Sequence, residues 1–164
     1  MQENEGERSG FLIGALVNIP SGILVRRVHE GLIAAGFCEL RPAHTPVFQL
    51  LAPEGSRVTE LAEQAGIAKQ SMGYLIDYLE QHGYVERVPD PTDGRAQLVR
   101  RTPRGWEVNR MSAHLVWEIQ QEWTHLLGEE RMKHLQSLLS DLVSLLGEQY
   151  RGSVAELSRF RRDK

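Results

Sequence analysis

The sequence has little of what staples, anchors or metallates a protein. Cys38 is its one cysteine, so no disulfide can form within the chain, which favours a reducing, cytoplasmic setting. The apolar stretch from Phe11 to Ile19 is too short to span a bilayer and is closed by Pro20. The opening MQENEGERSG is acidic and polar where a secretory leader starts basic, so no leader is expected. There is no nucleophile–base motif, glycine-rich phosphate loop or HExxH, and neither an enzyme nor a bound cofactor is expected. Positive charge is not in excess either. A formal net charge of −3 argues against a generally adhesive nucleic-acid binder.

What is present is ordinary in amount and telling in arrangement. With 41% apolar residues over 164 positions the chain can bury a sizeable core without metal or disulfide. Four arginines and no acid lie between Arg95 and Arg104 (RAQLVRRTPR), and a basic tail follows from Arg151 to Lys164. A focused basic strip on an acidic body suits a protein that touches phosphates at one place.

Hydrophobic spacing predicts a mainly α chain with one small β-hairpin. Leu24, Val28 and Leu32 repeat at helical intervals from Pro20 to about Ala35, with Phe11 to Val17 as an extension ahead of the proline. A short helix covers Pro42 to Leu51, its start ambiguous because Thr45-Pro46 is itself a good cap and first-position pair. A third helix runs from Val58 to Ala65, a tight turn follows at Gly66-Ile67-Ala68, and a fourth spans Lys69 to His82. The period then falls to two. Tyr84 to Val88 and Ala96 to Arg101 read as strands joined by an irregular, exposed connection, with Asp93-Gly94 as its turn signal. Thr102-Pro103 caps a helix to about Leu127, with Met111, Leu115, Ile119 and Leu126 as its stripe, and a last helix runs from Glu129 to Leu146.

Two short helices across a glycine turn, then a hairpin, are the parts of a winged helix-turn-helix. The second helix would present Gln70, Ser71 and Tyr74 to base edges, with Lys69 as a phosphate contact. Gly73 is locally costly in a helix and is explained by a close approach to DNA. Asp77 would repel phosphate, so it is expected to pair with a wing arginine, Arg95 or Arg100. On the wing, Asp93-Gly94-Arg95 offers an arginine to a minor groove, with Arg100, Arg101 and Arg104 lining the nearby backbone.

The segment VTELAEQAGIAKQSMGYLIDYLEQHGYVERVPDPTDGRAQLVRRTPRG, Val58 to Gly105, resembles the central part of MarR-type regulators. The resemblance implies a repressor that binds a pseudo-palindromic operator as a homodimer and is released by a small aromatic ligand. It carries the family's wing pair onto Asp93 and Arg95, and its recognition positions onto Gln70, Ser71, Gly73 and Tyr74. It also implies a division into an N-terminal dimerisation segment (1–40), a DNA-binding domain (41–102), C-terminal dimerisation helices (103–147) and a basic tail (148–164).

The dimer has a physical case of its own. The last two helices carry more apolar surface than a small winged domain can cover, with Trp106, Trp117 and Trp123 nearby. Leu16, Leu135, Leu139, Leu142 and Leu146 are the interface candidates, the last four equally able to serve as intrachain core. Cys38 is the candidate redox residue, although a small buried or half-buried side chain is the default. His114 with Glu118, and Glu122 with His125, have helical metal-ligand spacing, but helix faces produce such pairs by chance and no metal site is expected. The alternatives are a redox- or metal-responsive regulator and a winged-helix interaction module that binds no DNA.

Overall fold

The computed structural model describes residues 12–146; the basic tail and the first eleven residues lie outside that range. The order is α1 (Ile13–Ala34), a 3-10 turn (Pro42–His44), α2 (Thr45–Leu50), α3 (Val58–Ala65), α4 (Lys69–Gln81), β1 (Val85–Asp90), β2 (Asp93–Arg101), α5 (Pro103–Leu127) and α6 (Glu129–Leu145). This is a helical frame carrying one two-stranded hairpin, the winged helix-turn-helix architecture.

Two boundaries left open by the sequence are settled and a third is shifted, each for a local reason. Helix α1 runs unbroken through Pro20, joining the expected extension to the helix expected from the proline onward. The hydrogen bond that proline cannot donate would have gone to Leu16, in an exposed stretch where water can take its place. The ambiguous second helix contains both readings: a 3-10 turn from Pro42, then an α-helix from Thr45. The hairpin is longer than its periodicity suggests, because β1 extends through Pro89 to Asp90 and β2 begins at Asp93. The turn is therefore Pro91-Thr92, and Asp93-Gly94-Arg95 opens a strand. Asp90 makes this turn by accepting the Thr92 N–H at 2.8 Å and its hydroxyl at 2.7 Å.

The core sits where α2, α3, α4 and the base of the hairpin meet. Leu61, Met72, Ile76, Leu79, Tyr84, Val99 and Val47 are fully enclosed there. Gly66 caps α3 with a φ of 65°, the left-handed conformation that a tight turn needs and glycine adopts without strain. Thr102 then joins the DNA-binding half to α5. Its hydroxyl donates to the Gly83 carbonyl at 2.6 Å and accepts the Gly105 N–H at 3.1 Å. A Cβ on Gly105 would lie 2.1 Å from the Tyr84 carbonyl oxygen, so only glycine lets α5 leave the hairpin at this angle.

The outer helices are a different case. Val28 and Leu32 of α1 pack toward the core, and Gly31 is crossed so closely by Leu115 of α5 that a Cβ would meet its side chain at 2.6 Å. Beyond that crossing the apolar surface has no cover among the described residues. Leu12 at the N-cap of α1 and Ile13, Leu16 and Ile19 within it are exposed, and Leu126 of the expected α5 stripe is 80% exposed. Along α6 only Met132 is buried; Leu135, Leu139 and Leu142 are each about two-fifths exposed and Leu146 more so. Within one subunit these leucines are not core. No described helix is long and apolar enough to cross a membrane.

Candidate nucleic-acid interface

The exposed face of α4 begins at its first residue. Lys69, Gln70, Ser71 and Tyr74 are all exposed, while Met72, Ile76 and Leu79 hold the opposite face in the core. An aromatic ring in open solvent is a poor use of apolar surface, and Tyr74 is 65% exposed. Its hydroxyl accepts a hydrogen bond from the Gln70 amide nitrogen at 3.0 Å, which aligns the two side chains one turn apart. Gly73 lies between them, and a Cβ there would meet nothing within 4 Å. Nothing among the described residues requires that glycine.

The acid on this helix is disposed of by the wing, but through a different arginine from those expected. Asp77 accepts from Arg87 of β1 at 2.6 Å, not from Arg95 or Arg100. Arg87 also pairs with Glu80, whose carboxylate additionally accepts the Arg87 backbone N–H at 3.1 Å. These contacts hold the Arg87 guanidinium charged despite the burial that opposes it. The helix is thus braced to the base of the wing, with two carboxylates neutralised in part by one cation.

The arginines of the basic strip divide into two groups. Arg95 and Arg100 are exposed, and among the described residues neither they nor Lys69 form an ion pair. Arg101 is a correction: it is 4% exposed, donates to the Phe48 carbonyl at 2.6 Å and lies over the Trp106 ring. The pleat explains it, because strand neighbours alternate faces and Arg101 stands opposite Val85 on the inner one. Arg104 is a second correction. It donates to the His82 carbonyl, reaches Glu39 at 3.3 Å and covers the Tyr84 ring, whose hydroxyl donates to Glu39. Burial and the Glu39 contact push the Tyr84 pKa up to about 12. Arg101 is enclosed in the fold, and Arg104, whose side chain is 42% exposed, is engaged by Glu39, the His82 carbonyl and the Tyr84 ring.

Asp93 is exposed, and its carboxylate accepts the Arg95 N–H at 3.2 Å, so it shapes the wing from which Arg95 projects. Two residues absent from the sequence-based site complete this region. Arg57, at the N-cap of α3, donates to Asp90 through Nε at 2.8 Å and Nη2 at 2.5 Å. Bonds from Thr92 first, and then from Arg57, hold the Asp90 carboxyl down at about 2. Only its position beside a proline in the wing could have marked Asp90, and nothing local marks Arg57.

The remaining candidates do not gather into a site. Cys38 is exposed, not buried, and its thiol faces the Ile33 carbonyl at 3.8 Å. Glu122 is engaged by Arg27 of α1 at 2.6 and 2.8 Å, and the described residues contain no metal-holding cluster.

The hairpin, the polar α4 face and the helix-turn-helix define a winged-helix DNA-binding module. The family model that matches the chain is that of the MarR family, over residues 40–96. Among solved structures, the reduced form of MarR from E. coli is 25% identical, with a TM-score of 0.69 over 80% of this chain and 96% of that one. The transcriptional repressor CouR bound to a 23-mer DNA duplex is 25% identical, with a TM-score of 0.64 over 87% of this chain and 99% of that one. CouR from Rhodococcus jostii RHA1 bound to p-coumaroyl-CoA is 22% identical, with a TM-score of 0.63 over 85% of this chain and 95% of that one. No curated protein sequence matches. Residues 40–96 thus match the MarR family, and the described chain has the fold of MarR-type winged helix-turn-helix transcriptional regulators.

Proposed function

We propose that the protein is a repressor that binds a pseudo-palindromic operator as a homodimer and is released by a small aromatic ligand. Lys69, Gln70, Ser71, Gly73 and Tyr74 would enter the major groove, with Arg95 in the adjacent minor groove and Arg100 on the phosphates. The observation that carries the DNA contact is the face of α4: an exposed tyrosine aligned by Gln70 beside a glycine that nothing among the described residues requires. Residues 41–102 would form the DNA-binding part. Residues 1–40 and 103–147 would form the dimer, where the exposed leucines of α1 and α6 are supporting evidence. A two-fold pairing would set two recognition helices about one DNA turn apart. The ligand has a candidate seat in an open cavity of about 400 Å³ between α1 and α5, bordered by Leu115, Trp117, Ile119 and the Arg27–Glu122 pair.

Mobility shift with fragments of the source genome tests the reading, starting with the intergenic region beside its own gene. A discrete shift, weakened on the order of tenfold by Arg95→Ala, is expected. If every fragment migrates freely at low salt, the DNA reading is wrong. Titration with phenols and aromatic acids, read by release of the shifted fragment and by Trp117 fluorescence, tests the ligand.

A further inference from the structure

We propose that Arg57 is a positioning residue for DNA binding: from the N-cap of the first helix of the helix-turn-helix, it sets the wing tip so that Arg95 meets the duplex. The inference rests on the DNA-binding reading above and adds how the wing is aimed.

The position is a poor one for arginine by local rules. A helix N-cap favours a side chain with an acceptor oxygen for the first free N–H groups, and a guanidinium has only donors. Arg57 makes no side-chain cap bond; Glu60 reaches back to its backbone N–H at 2.9 Å instead. The side chain is engaged 33 residues away, on Asp90. Both of its contacts fall on the same carboxylate oxygen, Oδ2, while Oδ1 accepts the two bonds from Thr92 that close the wing turn. Arg57 Nη2 is also 3.6 Å from Asp93, whose other oxygen takes the Arg95 N–H. One cation therefore connects α3 to both acids that shape the backbone around Arg95.

The wing needs such a connection. Its base is secured by the paired bonds between Ser56 and Val99 and by the Arg87 brace to α4. Past Val99 the hairpin has, among the described residues, two strands and no third, and a lone two-stranded ribbon is weakly ordered in water. The register breaks between Pro89 and Asp90, at the place where Arg57 attaches. Because α3 lies against α4, the wing tip is referenced to the helix whose face meets the bases.

Arg57→Thr provides the test, since threonine restores a good N-cap while removing the wing contact. The variant should melt no lower than the native protein. Hydrogen exchange in the DNA-free protein should accelerate at residues 91–96 and stay unchanged in α4. Operator affinity should fall about as far as in Arg95→Ala, on the order of tenfold, and the Arg57→Thr/Arg95→Ala double variant should lose little more. Hydroxyl-radical protection should fade at the flanking minor grooves and persist in the centre. Arg57→Lys, which keeps one charged donor, should recover part of the affinity. Native exchange rates at residues 91–96, a native footprint, or additive losses in the double variant would each overturn the proposal while leaving the DNA reading intact. A native protein that shifts no fragment would overturn both.

Discussion

Single residues of similar sequence character do opposite things in this protein. Arg95 and Arg101 are six positions apart in one basic strip, yet one is solvated and the other is 4% exposed against Phe48 and Trp106. Arg95→Ala should therefore leave the urea midpoint unchanged. Arg101→Ala should cost roughly 1–3 kcal/mol, because the Phe48 carbonyl loses a charged donor in a dry site. Equal midpoints for the two variants would contradict this division. Gly73 gives the converse test. Its Cβ position is open, so Gly73→Ala should stabilise the helix by about 1 kcal/mol. Any loss of operator affinity in that variant then reports on the DNA side alone.

At the scale of elements, the joints between helices and hairpin carry the charge pairs, and pH acts on them. His44 ends the 3-10 turn that leads into α2; it is 4% exposed and stacked on Tyr78. Its Nδ1 accepts the Arg41 N–H at 3.1 Å, which places the proton on Nε2. Burial, and then the charges of Arg41, His82 and His29, push its pKa below the ordinary 6.5. The folded state keeps this ring neutral while the unfolded chain takes up a proton, so the stability is present above pH 6.5 and is lost as pH falls below it. Urea midpoints should drop between pH 7.5 and 5.5, and His44→Gln should flatten that drop. The brace between α4 and β1 is more exposed and counts for less. Arg87→Ala, which strands two acids, should be more damaging than Asp77→Asn, by about 1 kcal/mol in chemical denaturation.

For the whole molecule, the apolar surface left open by one subunit is concentrated at its two ends in sequence. Leu16 on α1 and Leu135, Leu139 and Leu142 on α6 are too exposed to serve as core. Paired against a second copy they would account for the apolar surface that the described part of one subunit leaves open. Leu139→Glu should shift the mass seen in sedimentation from dimer to monomer and abolish operator binding, while the winged segment keeps its helical signal. A native protein that sediments as a monomer at micromolar concentration would contradict the pairing.

The helices and their order follow from local physics. Period and punctuation placed α3 at Val58–Ala65 and the start of α5 at Thr102-Pro103, because caps and amphipathic stripes act within a turn or two of chain. The exposed face of α4 was legible for the same reason: once Met72, Ile76 and Leu79 point inward, helix geometry turns Gln70 and Tyr74 outward. The partners of charged groups were not legible. That Asp77 meets Arg87, that Arg101 is enclosed, and that Arg57 reaches Asp90 all depend on which face of a strand lies against which helix. Those choices are made by packing between segments distant in sequence, and a long, flexible charged side chain carries no local mark of where its partner will be.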